Sequence, residues 1–170
     1  MGRVCVGCAF SRAGALAALA AAISGCPEGQ VCEEDIRAQV LDERATIELA
    51  DATLEVEVAR SQVERERGWK HRRCDLEGLL LIPEMTGDAA GDATIWGCGL
   101  TLAVDLYWLR DGEVVALVDD LEPCAEPCAA CPIVGEGIVA DAVLEVPRGA
   151  IAAGVGDPVV GLEGLLVAPP

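Results

Sequence analysis

Cysteine carries most of the chemistry this sequence offers. Nine cysteines stand among 170 residues, and three of them form the run Cys124-x3-Cys128-x2-Cys131. Thiolates so spaced can hold zinc, with Cys98 or His71 completing the set. CxxxCxxC also surrounds iron–sulfur clusters in radical enzymes, but that use needs a much larger barrel and a reducing compartment. In an oxidising compartment the same cysteines close disulfides. Asp105 is the second candidate. It sits in an otherwise apolar strand, where burial would raise its pKa and equip it as an acid or base. Its plainer role is to accept backbone N–H groups or to pair with Arg72. His71 is the only histidine, and it stands among Lys70, Arg72 and Arg73 with no Ser or Cys nucleophile in a recognisable motif. The glycines lie at turns and form no phosphate loop. These residues supply no complete catalytic set, and neither a cofactor nor a bound metal is expected. Trp96, beside a flexible loop, is placed to line a small ligand cleft. Arg72 and Asp105 are the other expected ligand-binding residues.

The compartment decides how the cysteines are used, and the N-terminal segment decides the compartment. Arg3 and Arg12 bracket a positive start, and Ala13 to Ile23 is an uncharged, mostly apolar stretch. It is too short to span a bilayer, which takes about 20 apolar residues, but it has the length of a signal-peptide core. Ile23-Ser24-Gly25-Cys26 then resembles the bacterial lipobox. Its small side chains let a peptidase reach the backbone, and the thiol accepts the lipid. Two acyl chains, at about 0.8 kcal/mol per buried CH₂, hold a soluble domain on a membrane. The expectation is a signal peptide over 1–25, a lipid anchor on Cys26, and a domain on the periplasmic or extracellular face of the cell envelope. Cys5 and Cys8 form a CxxC inside the segment to be removed and are incidental. Cys32, Cys74, Cys98, Cys124, Cys128 and Cys131 remain, enough for three bridges.

Charge narrows the partners. Asp and Glu number 29 against 12 Lys and Arg, a formal charge of −17. Phosphate backbones and anionic headgroups repel such a surface, so no nucleic acid is expected, and a covalent anchor serves better than a basic patch. Aromatics make up only 3% of the chain, so the core is aliphatic and offers no stacking platform for bases.

The elements that must position these residues are mostly strands. Residues 26–44 are polar and acidic and read as a tether, with a short helix possible around Glu33 to Leu41. Thr46 to Leu49 and Leu54 to Val58 alternate with period two. Ser61-Gln62-Val63-Glu64 is a capping box that opens a short charged helix to about Trp69. Gly78 to Ile82 is a buried strand stopped by Pro83, and 84–93 is a flexible loop. In Leu102 to Leu109, Leu102, Val104, Leu106 and Trp108 share one face. Ala103, Asp105, Tyr107 and Leu109 share the other. Asp111-Gly112 is a hairpin turn into Glu113 to Val118. A long loop over 119–137 precedes a strand over Val139 to Val146. Pro147 is suited to open a second short helix that Gly154 closes, before a last strand near Val159. The sum is one compact α+β domain over 45–170, mostly β, barrel-like or a sandwich, with two short helices.

The order of these pieces resembles domain of unknown function 192 (DUF192), a group of small, often exported prokaryotic proteins. Glu64 to Gly68 with Arg72-Arg73 is similar to the family's Arg-Gly-Leu-Met-Gly-Arg signature. Gly78 to Pro83 is similar to its Gly-Met-Leu-Phe-x-Phe-Pro strand, and Trp96 with Asp105-Leu106 to its central motif. Pro123-Cys124 and Pro127-Cys128 fit its Cys-bearing loop. Val143 to Pro147 and Gly154 to Asp157 fit its C-terminal end. The chain departs from the pattern at Lys70-His71, where the family has Met-Gly, and at Cys131, where it has Tyr. It departs again at Cys98 and Gly99, where the family has Lys and Asn. The resemblance implies a disulfide between Cys124 and Cys128, which leaves Cys74 and Cys98 to pair with each other or with Cys131. It implies fold and export but no activity. The expected function is a lipid-anchored envelope domain that binds a small molecule or a partner protein. An envelope enzyme using Asp105 is one alternative, and a metal or thiol site at Cys124, Cys128 and Cys131 is another.

Overall fold

A computed structural model of the chain describes residues 35–74, 77–83 and 91–166. The chain divides into two compact units, 1–31 and 32–170. The first unit lies outside the described residues, and with it the signal peptide, Cys5 and Cys8; Cys26 lies there too. No helix among the described residues is long and apolar enough to cross a membrane.

Seven strands make one sheet: β1 (Arg44–Leu49), β2 (Ala52–Ala59), β3 (Gly78–Leu81), β6 (Val104–Arg110), β7 (Glu113–Leu121), β10 (Ala142–Pro147) and β11 (Val159–Val160). Their order is β11-β1-β2-β3-β10-β6-β7. Only β2 and β3 run parallel in this sheet, because the one α-helix among the described residues, α1 (Gln62–Arg67), lies on the crossover between them. The sheet curls strongly into a half-barrel. Residues 156–159 serve both open edges. Val159 pairs with Leu49 of β1, while Asp157 O accepts from Val114 N of β7 at 3.0 Å. One end of each edge strand is thereby capped.

Two apolar clusters lie on the two faces of this sheet, as the alternation of 102–109 predicts. Tyr107 and Leu109 join Ile47, Val56, Leu80 and Leu144 inside the curl. Val104, Leu106 and Trp108 join Trp69, Leu79 and Val143 on the outer face. Each fully buried Leu or Val is worth about 1.5–3 kcal/mol. The outer face is covered by α1, by Trp69 and by two ribbons. One pairs β4 (Gly91–Asp92) with β9 (Val139–Ala140). The other pairs β5 (Ile95–Trp96) with β8 (Ile133–Val134). Gly135 lets this layer seat. Its φ is +83°, and a Cβ there would stand 2.4 Å from the Trp108 ring.

The predicted elements need three corrections. Pro147 opens no helix: it ends β10 opposite Val104, Arg148 N donates to Ala103 O at 3.1 Å, and the chain turns. No helix forms over the described residues 35–41, which turn at 36–38. Beyond α1, the only helical turn among the described residues is a single 3-10 turn, Cys128–Ala130, inside the loop expected at 119–137. That loop is shorter than expected, since β7 runs to Leu121 and β8 intervenes. The described end of the acidic tether is docked. Gln39 is buried, and its amide donates to Glu64 O and Gly68 O at 2.8 and 3.0 Å, capping the end of α1.

Candidate ligand-binding site

The site grows from one row of residues across the sheet. Glu57 of β2 stands opposite Leu79 of β3, Leu79 opposite Glu145 of β10, and Glu145 opposite Leu106 of β6. Leu79 and Leu106 belong to the outer cluster, so both carboxylates project into that layer. Their fates differ. Glu57 accepts from Leu41 N at 3.0 Å, from Arg44 Nη2 at 2.8 Å and from the buried Arg72 Nη2. Glu145 is 3% exposed, and its Oε2 has no hydrogen-bond partner within the protein. Burial pushes its pKa up to about 7, against the pull of Arg72 and Lys70.

The segment after α1 lays its side chains over that row. The capping box forms as predicted: Ser61 Oγ accepts from Glu64 N at 3.2 Å, and Glu64 Oε2 accepts from Ser61 N at 2.8 Å. These bonds hold the Glu64 carboxyl below its usual range. The helix stops at Gly68, where φ is +46° and a Cβ would lie 3.6 Å from Glu145 Oε2. Trp69 follows, nearly inaccessible, and its Nε1 also lacks a partner within the protein. Lys70 then places its Nζ 5.0 Å from the centre of the Trp96 ring, a cation–π distance.

The facing wall is the β5–β8 ribbon, where Trp96 stands opposite Ile133. Disulfides brace it. Cys98 pairs with Cys128 and Cys124 with Cys131, at Cα separations of 5.4 and 5.7 Å. This replaces the Cys124–Cys128 bridge that the resemblance implied: the 3-10 turn at 128–130 brings Cys131, not Cys128, back to Cys124. Cys74 is disulfide-bonded as well. The sulfurs of Cys124, Cys128 and Cys131 are thus engaged in S–S bonds rather than held as thiolates for a metal. Gly99 N donates to Cys124 O at 3.0 Å, and His71 N to Gly99 O at 2.9 Å. The braced loop is thereby tied to the segment beneath it. Gly99 has φ +78°, in the left-handed region that glycine enters without strain.

Between floor and wall lies a cleft of about 420 Å³, lined by Trp69, Lys70, Trp96, Leu100, Ile133 and Glu145, with Arg65, Glu66 and Arg67 at its helical side. A hollow of about 540 Å³ adjoins it and shares Arg65, Glu66 and Ile95. Of the three expected ligand-binding residues, Trp96 lines the cleft, 41% exposed. Arg72 lies buried near the floor, tied to Glu57. Asp105 is elsewhere. It stands opposite Val146, a residue of the inner cluster. Its two oxygens accept from Asp120 N at 2.8 Å and Gly149 N at 2.7 Å. Asp120 has φ +63° and sits where β7 bulges against β6, so Asp105 fastens a bulge and a turn. Sequence reasoning missed Glu145 and Trp69. The only available signal was a Glu inside an apolar strand, the same signal that pointed to Asp105.

The family model for DUF192, described as an uncharacterized ACR, matches residues 44–159. Two crystal structures share the fold. One, from Sinorhizobium meliloti 1021 and provisionally assigned as a transcription regulator, is 23% identical with a TM-score of 0.59, covering 72% of this chain and 97% of that one. The other, a protein of unknown function from Novosphingobium aromaticivorans DSM 12444, is 21% identical with a TM-score of 0.53, covering 68% and 82%. No curated protein matches the chain.

Proposed function

The chain belongs to the DUF192 family, and from that premise we propose that it is an exported, lipid-anchored envelope domain whose outer cleft binds a small molecule. One observation carries the binding reading. Two buried polar groups, Glu145 Oε2 and Trp69 Nε1, have no partner within the protein and stand at the floor of an open, largely apolar cleft. Buried polar groups are nearly always satisfied, so such a pair at a cleft marks a place where an outside molecule completes the bonding. The disulfides point to an oxidising, extracytoplasmic compartment, which supports export. The lipid anchor rests on the Cys26 lipobox. Asp105 serves as a structural acceptor on the other face, which disfavours the enzyme built on it.

Ligand-observed saturation-transfer NMR against a fragment library tests the binding role in the oxidised, full-length protein. Fragments are expected to bind wild type and to lose their signal in Leu100→Trp, which fills the cleft. No hits, or hits unaffected by that variant, would remove the reading. Detergent phase partition tests the anchor: wild type is expected in the detergent phase and Cys26→Ala in the aqueous phase. Wild type in the aqueous phase refutes it.

A further inference from the structure

The chemistry of the cleft narrows what it can take. The chain is strongly acidic, yet Arg60, Arg65, Arg67, Lys70, Arg72 and Arg73 place six of its 12 basic residues within 14 positions. Arg65, Arg67 and the chain's only lysine line the cleft, against Glu66 at the side and Glu145 in the floor. This is a local reversal of sign, which attracts anions and repels cations. The floor offers donors. Trp69 Nε1 can only donate, and Glu145 stays protonated up to about pH 7, so in that range its carboxyl can donate as well. Lys70 adds a charged donor within the same cleft. What remains of the lining, Ile95, Trp96, Leu100 and Ile133, is predominantly apolar.

We infer that the cleft takes a small organic carboxylate: its apolar body lies against the wall formed by Trp96 and Ile133, and its carboxylate is held by the Glu145 carboxyl and the Trp69 indole N–H beside Lys70. The inference rests on the proposed ligand-binding role and names the ligand's chemistry. Glu145 and the ligand then share one proton between two carboxyl groups, an arrangement that fails when both ionise. The charged groups around Glu145 are Lys70 and Arg72 from the segment above it, with Glu57 of β2 holding Arg72. Arg65, Glu66 and Arg67 come from α1. β3, β5 and β8 present no charged residue.

Three probes of one shape and different head charge test this: phenylacetate, phenylacetamide and phenethylammonium. Each is titrated calorimetrically into the oxidised, full-length protein at pH 6 and pH 8.5. Phenylacetate is expected to bind about tenfold or more tightly than the amide at pH 6, the scale of one charge-assisted hydrogen bond, with no detectable binding of the ammonium. Its affinity is expected to fall by about tenfold at pH 8.5, where Glu145 has ionised. Glu145→Gln is expected to keep phenylacetate binding and abolish that fall. Lys70→Gln is expected to erase the preference over the amide. If the amide or the ammonium binds as tightly as phenylacetate, the carboxylate assignment is overturned while the cleft remains a binding site. If none of the three binds at either pH and the fragment screen is also empty, both readings are overturned together.

Discussion

The two faces of the half-barrel each bury a carboxylate on a central strand, and they treat it in opposite ways. On the inner face Asp105 has both oxygens engaged by backbone N–H groups, from a bulge in one strand and a turn after another. On the outer face Glu145 has an oxygen with no partner within the protein and a cleft in front of it. A satisfied buried acid fastens the fold; an unsatisfied one costs stability and is available to something else. Apolar surroundings alone do not separate the two roles, because both residues are equally enclosed. The difference lies in what the neighbouring loops aim at the carboxyl.

Substitutions on each face should break or sharpen that contrast, and all are read by urea unfolding of the oxidised protein. Asp105→Ala leaves two part-buried backbone donors without their acceptor and should cost about 3 kcal/mol, with ligand binding unchanged in the folded fraction. Arg72→Met leaves Glu57 with only Arg44 and Leu41 N, and should cost about 3 kcal/mol, toward the low end for a broken buried pair. Glu145→Gln should go the other way. The folded-state pKa of Glu145 lies near 7, above its ordinary 4.5, so the folded protein holds this proton more tightly than the unfolded chain. Stability therefore falls as pH rises from about 4.5 to 7 and stays reduced above it, by up to about 3 kcal/mol. The Gln variant should match wild type at pH 4 and exceed it at pH 8; equal stability at both would contradict the buried, unpaired acid. Ser61→Ala should cost only about 1 kcal/mol, the usual worth of an N-cap.

What the sequence revealed was local. The capping box over Ser61 and Glu64 closes within one turn of chain, and it formed. The alternation of 102–109 assigned Val104 and Trp108 to one face and Tyr107 and Leu109 to the other, because a strand's period needs no partner to be read. The turn at Asp111-Gly112 was legible for the same reason. What escaped depends on partners far along the chain. Pro147 has the right chemistry to start a helix, but pairing with Val104 holds it extended. The disulfide partners were set by the fold of 124–131 rather than by spacing. Trp96 was placed at a cleft from its neighbouring loop, yet Glu145 and Trp69 became part of it only when strand register put Glu145 on the outer face and the chain after α1 brought Trp69 to the same cleft. Asp105 and Glu145 looked alike in sequence, since each is a lone acid among aliphatic residues.

The ribbon that carries Trp96 and Ile133 has one further consequence. It is not a strand of the main sheet, and its bracing comes from its own cross-links, Cys98–Cys128 and Cys124–Cys131. Its exposed residues can therefore change in the course of divergence without altering strand order or the inner core. The barrel and the acid floor act as a chassis, and in this chain the ribbon is a faceplate fastened to it separately.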